Sequence, residues 1–334
     1  MAKIGIVGAG SWGLGLASVL ADNDHDVLFY VIEKKFETDI NENHQNKMYF
    51  PDKVLDDRIR ATMDLDHFID FSDEFVLVIP VKFIRGFLLE FNERVHKKVM
   101  LVSAAKGLEN ETDDRVSEII SDCMDDEKLK GIVALSGPSH AELVIERAHT
   151  LIVSASMDMA LAERVQQLFN NDYFRVYTSD DIVGAELGGA IKNVIAIGAG
   201  INDGMELGIN AKAALLTRGL HEMRALMKTY DVHEQTLYGL TGLGDLFVTA
   251  TTKFSRNYSF GFYLGQGCTK DEAVRRVKTT VEGIYTLQTL RELSKKRHVD
   301  MPITDALYNL VYEGKPLKET IDGLMKRDLK NELE

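Results

Sequence analysis

The run Gly8-Ala9-Gly10-Ser11-Trp12-Gly13 constrains this chain more than any other stretch. It spells GxGxxG, follows directly on the strand-like Lys3-Ile4-Gly5-Ile6-Val7, and opens a helical stretch from about Trp12 to Ala21 that ends in the polar Asp22-Asn23-Asp24. Strand, glycine loop and helix in that order begin a βαβ unit that binds a dinucleotide. Gly8 permits the tight turn, Gly10 lets the backbone approach a pyrophosphate, and Gly13 lets helix and strand pack closely. Free N–H groups and the positive dipole end at the helix start then face the phosphates.

Such a unit carries an acid about twenty positions further on, at the end of its second strand. Glu33 stands there, closing the strand candidate Val27–Ile32. Its carboxylate would accept hydrogen bonds from an adenosine ribose and repel a 2′-phosphate, which favours NAD over NADP. Lys34 and Lys35 follow at once and reverse that preference if they turn inward. Phe75–Ile79, Val99–Ser103, Ile132–Ser136 and Leu151–Ser154 are further strand candidates. They are rich in Val, Ile and Leu without strict alternation, as strands buried on both faces of a parallel sheet are. Helical segments between them imply βαβ units.

From about Asp181 strand signals nearly vanish. Gly184–Ile201, Ala211–Tyr230, Lys270–Val277, Ile284–Arg297 and Ile303–Tyr312 read as helices, and Thr269-Lys270-Asp271-Glu272 is a capping box. The expectation is an α/β chain: a Rossmann-type dinucleotide-binding domain over residues 1–179 and an all-helical domain over 180–334. The tail Met325–Glu334 alternates charges and reads as a solvated helix end.

The net charge of −13 argues against nonspecific binding to nucleic acid or to an anionic membrane. An anionic small substrate would therefore need a local basic cluster. No apolar run approaches the ~20 residues that span a bilayer. The N-terminus lacks the features of a signal peptide, so the cytoplasm is the expected compartment. Cys123 and Cys268 are isolated and expected to be reduced thiols. The histidines show no HxxxH or clustered pattern, so no metal is expected.

One helical segment stands out, from Gly184 to Gly200. Each glycine inside a helix costs about 1 kcal/mol relative to alanine, so this many points to close approach of another backbone or a ligand. Lys192 lies in the middle of it. Desolvation there lowers a lysine pKa toward neutrality and makes Lys192 a candidate general acid/base for a hydroxyl being oxidised; the alternative is a lysine whose amine reaches the surface. Gly242-Leu243-Gly244-Asp245-Leu246 places an acid in a glycine-bounded segment. Ser255-Arg256-Asn257 is a candidate phosphate grip, because guanidinium binds phosphate oxygens in a fork and its neighbours add donors.

These segments, with Ala105-Lys106-Gly107-Leu108-Glu109, Ser136-Gly137-Pro138-Ser139, Lys192-Asn193-Val194-Ile195-Ala196-Ile197-Gly198 and Val281-Glu282-Gly283, occur in one order from Lys3 to about Leu324. In that order they closely resemble the bacterial NAD(P)-dependent glycerol-3-phosphate dehydrogenases. The resemblance implies a Rossmann domain followed by a helical, 6-phosphogluconate dehydrogenase-like substrate domain, with the active site between them. It implies reversible hydride transfer between sn-glycerol 3-phosphate and dihydroxyacetone phosphate, supplying glycerol 3-phosphate for phospholipids, in a homodimer.

Carried over by position, Lys192 would exchange the proton at the substrate's secondary oxygen, and Asp245 would bind substrate and tune that lysine. Lys106 would touch substrate and cofactor. Gly137, Ser139, Asn193, Ser255, Arg256 and Asn257 would hold substrate, with Arg256 also reaching the cofactor and Thr249 a weaker substrate candidate. Ser11, Trp12, Ala141, Thr280 and Glu282 would join Gly8, Gly10 and Gly13 at the cofactor. Ile32 departs from the family's frequent Arg or His at the position that meets NADP's extra phosphate, and with Glu33 beside it NAD is favoured. Lys106 and Gly137–Ser139 also lie just past the carboxyl ends of two strand candidates, where open α/β sheets bind ligands. Two rival readings share the fold: a hydroxy-acid dehydrogenase, opposed by Gly242–Asp245 and Ser255–Asn257, and a nucleotide sensor without chemistry, opposed by Lys192 and Asp245.

Overall fold

The computed structural model describes residues 1–329 and 331–332. Its strands are β1 (Lys3–Val7), β2 (Asp26–Tyr30), β3 (Ile59–Thr62), β4 (Glu74–Leu77), β5 (Val99–Ser103), β6 (Leu129–Ser136), β7 (Thr150–Ala155) and β8 (Phe174–Ser179). They form one sheet in the order β3-β2-β1-β4-β5-β6-β7-β8. The helices among them are α1 (Ser11–Asp22), α2 (Lys34–Asn43), α3 (Leu65–Phe71), α4 (Ile84–Arg94), α5 (Val116–Cys123), α6 (Ala141–Val144) and α7 (Met159–Phe169). Both sheet faces are covered. Ile4, Ile6, Phe29 and Val102 pack against Leu14 and Leu20 of α1 and Val165 and Phe169 of α7. Phe75, Leu77 and Leu101 pack against Phe68 of α3, Phe91 of α4 and Ile120 of α5.

The sheet is parallel from β3 through β6, and β7 then runs antiparallel to β6. The purely parallel reading is corrected here. The link between these strands contains only the four-residue α6, whose first residue, Ala141, lines the cleft at the carboxyl end of the sheet. The chain therefore re-enters the sheet from that end. Strands β3 and β8 are additions to the expected set. In β8 the buried Phe174 and Val176 alternate with exposed Arg175 and Tyr177, the pattern of a half-covered edge strand and not of a continuous apolar run.

After Ser179 the described chain is helical: α8 (Ile182–Gly204), α9 (Ile209–Met227), α10 (Glu234–Tyr238), α11 (Asp245–Thr251), α12 (Arg256–Gly265), α13 (Lys270–Val277), α14 (Glu282–Lys296), α15 (Pro302–Val311) and α16 (Leu317–Met325). A short π-helix, Leu240–Gly244, joins α10 to α11. The capping box forms at α13: Glu272 N–H donates to Thr269 Oγ1 at 3.3 Å and Thr269 N–H to Glu272 Oε2 at 2.8 Å. The tail expectation fails in part. α16 ends at Met325, and the described residues beyond it are exposed but not helical. Apolar positions thin out there, leaving no face to bury; residues 330, 333 and 334 lie outside the described set.

The centre of the helical half is α8. It is 23 residues long and apolar enough, by length and composition, to cross a membrane, which corrects the expectation that no segment approaches that length. Glu186, Lys192 and Asn193 interrupt its apolar run and disguise it in the sequence. Its apolar window is 89% buried inside the protein, among side chains of α9, α11, α12, α14 and α15. The expected close backbone approach is present. A Cβ on Gly200 would stand 2.0 Å from Tyr258 O, and one on Gly261 of α12 would stand 2.0 Å from Ile197 O.

Candidate active site

The crevice opens where the strand order reverses, between β1 and β4, at the carboxyl ends of the strands, as doubly wound sheets require. Gly8 turns the chain with φ +104°. A Cβ on Gly13 would lie 2.2 Å from Gly8 O, so helix and loop pack backbone to backbone. Gly10 differs: its Cβ position meets only the Tyr49 ring, at 4.0 Å, which leaves a hollow a side chain would fill. Gly10 caps α1 without a side-chain hydrogen bond, and the first turn carries no acid. The helix N–H groups are thus presented to an anion. Asn46 holds the loop from behind, its Nδ2 donating to Ala9 O at 2.9 Å.

β2 ends at Tyr30, three residues before Glu33, so Glu33 does not close the strand but stands at the N-cap position of α2, without a side-chain hydrogen bond to the helix. Its carboxylate pairs with Lys35 Nζ at 2.7 Å, and Lys34 Nζ pairs with Glu37 at 2.5 Å. Ile32 is 80% exposed. These residues flank a shallow depression of about 550 Å³ lined by Lys34, Lys35, Asn46 and Met48, which meets the main cleft at Met48.

The main cleft, about 380 Å³, draws on both halves of the chain. Lys192 projects from the middle of α8 and is 5% exposed, so its amine does not reach the surface. Its Nζ donates to Asp245 Oδ1 at 2.5 Å and to Thr249 Oγ1 at 2.6 Å. Lys106, just past β5, donates to the other carboxylate oxygen, Asp245 Oδ2, at 2.7 Å and to Gly137 O at 2.9 Å. Asp245 is thereby gripped by two ammonium groups from segments distant in sequence.

The glycines explain this placement. A Cβ on Gly189 would press on Ser136 Oγ at 3.1 Å and touch the Lys106 stem at 3.6 Å, so the end of β6 and the Lys106 side chain both lie directly on α8 there. A Cβ on Gly188 would meet Thr241 O at 2.6 Å, which lets the π-helix press onto α8. The wide turn of that π-helix delivers Asp245 at the first position of α11; π-bulges of this kind concentrate at functional sites.

Burial drives the Lys192 pKa down to about 8; Asp245 opposes the shift and Lys106 reinforces it. Burial by itself raises the Asp245 carboxyl, but Lys106 and Lys192 outweigh it and hold it below the usual carboxylate range. Glu282, at the start of α14, is raised by burial against the pull of Arg256, Lys192 and Lys106.

Ser255 caps α12, its Oγ accepting from Tyr258 N–H at 3.2 Å. Arg256 is therefore the first helical residue and stands at a positive dipole end. Asn257 Oδ1 accepts from Gly283 N–H at 2.8 Å, tying α12 to α14. Ser11, Trp12, Lys106, Ser139, Ala141, Lys192, Asn193, Asp245, Thr249, Ser255, Arg256, Asn257, Thr280 and Glu282 all line this cleft. Gly137 is tied to the site by its carbonyl, which accepts from Lys106; Gly8, Gly10 and Gly13 do not line the cleft but shape the loop that leads into Ser11 and Trp12, which do. Ile32 and Glu33 do not line it. Sequence reasoning missed Tyr49, Val78, Ile79, His140, Val248 and Phe254 on its walls. Val78 and Ile79 follow the carboxyl end of β4 and were open to the same rule that found Lys106; Tyr49 and Phe254 come from loops without periodicity. Among the described residues no group of three or more His, Cys, Asp or Glu is arranged to hold a metal ion.

Two family models match the chain, the N-terminus of NAD-dependent glycerol-3-phosphate dehydrogenase over residues 3–162 and its C-terminus over residues 181–322. A Staphylococcus haemolyticus protein named glycerol-3-phosphate dehydrogenase (NAD(P)+) is 46% identical over 99% of this chain and 100% of its own. One of that name from Listeria monocytogenes serotype 4b is 45% identical, covering 99% and 98%. The crystal structure of the Coxiella burnetii glycerol-3-phosphate dehydrogenase superposes with a TM-score of 0.93 at 31% identity, over 98% of this chain and 99% of that one. D-mandelate dehydrogenase, 14% identical with a TM-score of 0.59, shares the fold alone.

Proposed function

The chain belongs to the NAD-dependent glycerol-3-phosphate dehydrogenase family, and from that premise we propose how its own residues carry the reaction. The activity is reversible hydride transfer between sn-glycerol 3-phosphate and dihydroxyacetone phosphate, with NAD or NADP. The observation that carries the residue assignment is the Lys106–Asp245–Lys192 cluster inside the cleft beneath the glycine loop.

The hollow at Gly10 and the uncapped start of α1 fit a pyrophosphate, and Gly8, Gly10, Ser11, Trp12 and Gly13 would hold it. Ala141, Lys106, Arg256, Thr280 and Glu282 would line the rest of the cofactor's path, with Ile32 and Glu33 at its adenosine end. When bound, the nicotinamide supplies or takes the hydride.

The protein's part is the proton and the phosphate. An ammonium group has three N–H donors. Asp245 and Thr249 take two from Lys192, leaving the third for the substrate's secondary oxygen. In reduction that oxygen becomes a hydroxyl by accepting the Lys192 proton; in oxidation the neutral amine takes it back. Lys106 likewise spends two donors on Asp245 and Gly137 O and keeps one for the cleft. Arg256 and the start of α12 meet the phosphate as guanidinium and helix dipole together, with Ser255 and Asn257 beside them. Ser139 and Asn193 complete the substrate wall. Thr249 lines the same cleft and serves the substrate by holding Lys192.

We place the division between the dinucleotide and substrate domains at residues 179 and 180, NAD ahead of NADP, and the enzyme in the cytoplasm as a homodimer that feeds phospholipid synthesis. Light scattering of the purified chain tests the dimer, and the mass of a single chain would refute it. Substrate class is tested by following NADH oxidation with dihydroxyacetone phosphate and, in parallel, with a 2-keto acid. Turnover is expected with the phosphorylated ketone; preference for the keto acid would transfer the chain to the hydroxy-acid reading.

A further inference from the structure

His140 has no part in the chemistry described above, yet it lies on the cleft wall at the junction of the two halves. It is the N-cap of α6, one residue after Ser139. Its Nε2 lies 3.2 Å from Val248 O and 2.8 Å from Thr252 Oγ1. A carbonyl only accepts, so Nε2 carries the hydrogen. Val248 O belongs to the last turn of α11, where carbonyls lose their helical partners. The next residue in that ladder, Thr252, has left the helix with φ −128° and ψ 148°. His140 therefore caps α11 from the opposite side of the cleft. Its ring also sits 5.7 Å from that of Phe254.

Three residues separate Thr252 from Arg256. The turn Thr252–Phe254, docked on His140 by hydrogen bond and ring contact, is the lead-in to Ser255-Arg256-Asn257. We infer that His140 is a positioning residue that sets the distance between the Ser139 wall and the phosphate-gripping start of α12, and so governs how tightly the phosphorylated substrate is held. Burial pushes the His140 pKa down, so it stays neutral at neutral pH and adds no charge beside Lys192. The inference rests on the reading of Ser255–Asn257 as the phosphate grip.

His140→Phe keeps the ring against Phe254 and removes the donor. In steady-state kinetics of the full chain its KM for dihydroxyacetone phosphate should rise about tenfold, the loss of one net hydrogen bond, with kcat within about threefold and KM for NADH unmoved. His140→Gln, whose Nε2 reaches as far as the imidazole Nε2, should recover most of that loss. Thr252→Val, which leaves the His140–Val248 bond in place, should raise the same KM about threefold, and it carries the test if His140→Phe does not fold. An unchanged KM in His140→Phe, a Gln variant as impaired as the Phe variant, or a fall in kcat with KM unmoved would each overturn the inference. Wild-type protein that binds NADH but fails to turn over dihydroxyacetone phosphate would bring down the underlying reading instead, and this inference with it.

Discussion

Ile32 and Glu33 show how much one side chain decides. At the end of the second strand of a dinucleotide fold, a carboxylate accepts from ribose hydroxyls and repels a phosphate attached there. Lys35 Nζ sits 2.7 Å from that carboxylate and partly neutralises it, while Lys34 is held by Glu37. Neither lysine lines the main cleft; both line the depression that meets it at Met48. Glu33→Ala should therefore raise the NADPH:NADH ratio of kcat/KM by about tenfold, a like-charge penalty of ~1.4 kcal/mol removed; an unmoved ratio would reduce Glu33 to a surface residue paired with Lys35. The position of Glu33 was legible from its spacing. Its place at the N-cap position of α2 was not, because the strand stops at Tyr30 and no local pattern marks the stop. Lys192 was legible as a lysine enclosed by small residues. Thr249 was legible as a residue one helical turn past Asp245, but that it would take one of the Lys192 donors was not, because that depends on how α11 packs on α8.

At the scale of elements, the contact of α8 with α12 is the feature most exposed to test. Gly200 and Gly204 of α8 face Tyr258 O and Phe262 O of α12, while Gly261 and Gly265 of α12 face Ile197 O and Ile201 O of α8, each so close that a Cβ would overlap a carbonyl. Backbone cannot retreat as a side chain can. Gly261→Ala should cost about 3 kcal/mol or more, at the upper end of overpacking penalties, read as a lowered urea midpoint by circular dichroism; a midpoint equal to wild type would contradict the backbone contact. The glycines announced a close approach without naming the partner, since α12 contains no apolar period that sets it apart in the chain. Edge strands β3 and β8 escaped for a related reason: a half-covered strand at a sheet margin carries two or three buried residues, too few to outweigh its polar ones.

In the whole molecule, groups far apart in sequence act together only because two halves close on one cleft. Glu186 of α8, 6% exposed, accepts from Ser117 N–H at 2.8 Å and pairs with Arg115 at 2.8 Å, fastening α8 to the start of α5. Lys106 crosses the same boundary to Asp245. The fold and family were legible from motifs in fixed order; the geometry that joins Lys106, Lys192 and Asp245 was not, because nothing local fixes how two domains meet. That junction supplies positive charge in a chain whose net charge is −13, and it tunes Lys192.

The central claim is that Lys192, held at a pKa of about 8, is the proton donor and acceptor. A lysine whose pKa is lowered from 10.5 to about 8 is protonated below that pH and neutral above it. Reduction needs the ammonium and oxidation the amine. The deciding measurement is kcat/KM for dihydroxyacetone phosphate and for glycerol 3-phosphate against pH, at saturating cofactor, because that ratio reports the protein before substrate binds, the state to which a pKa of about 8 belongs. Reduction of dihydroxyacetone phosphate should be level below pH ~8 and fall about tenfold per unit above it. Oxidation of glycerol 3-phosphate should climb to a plateau through the same midpoint. Profiles that stay flat through that range, or a reduction rate that rises with pH across it, would contradict the account.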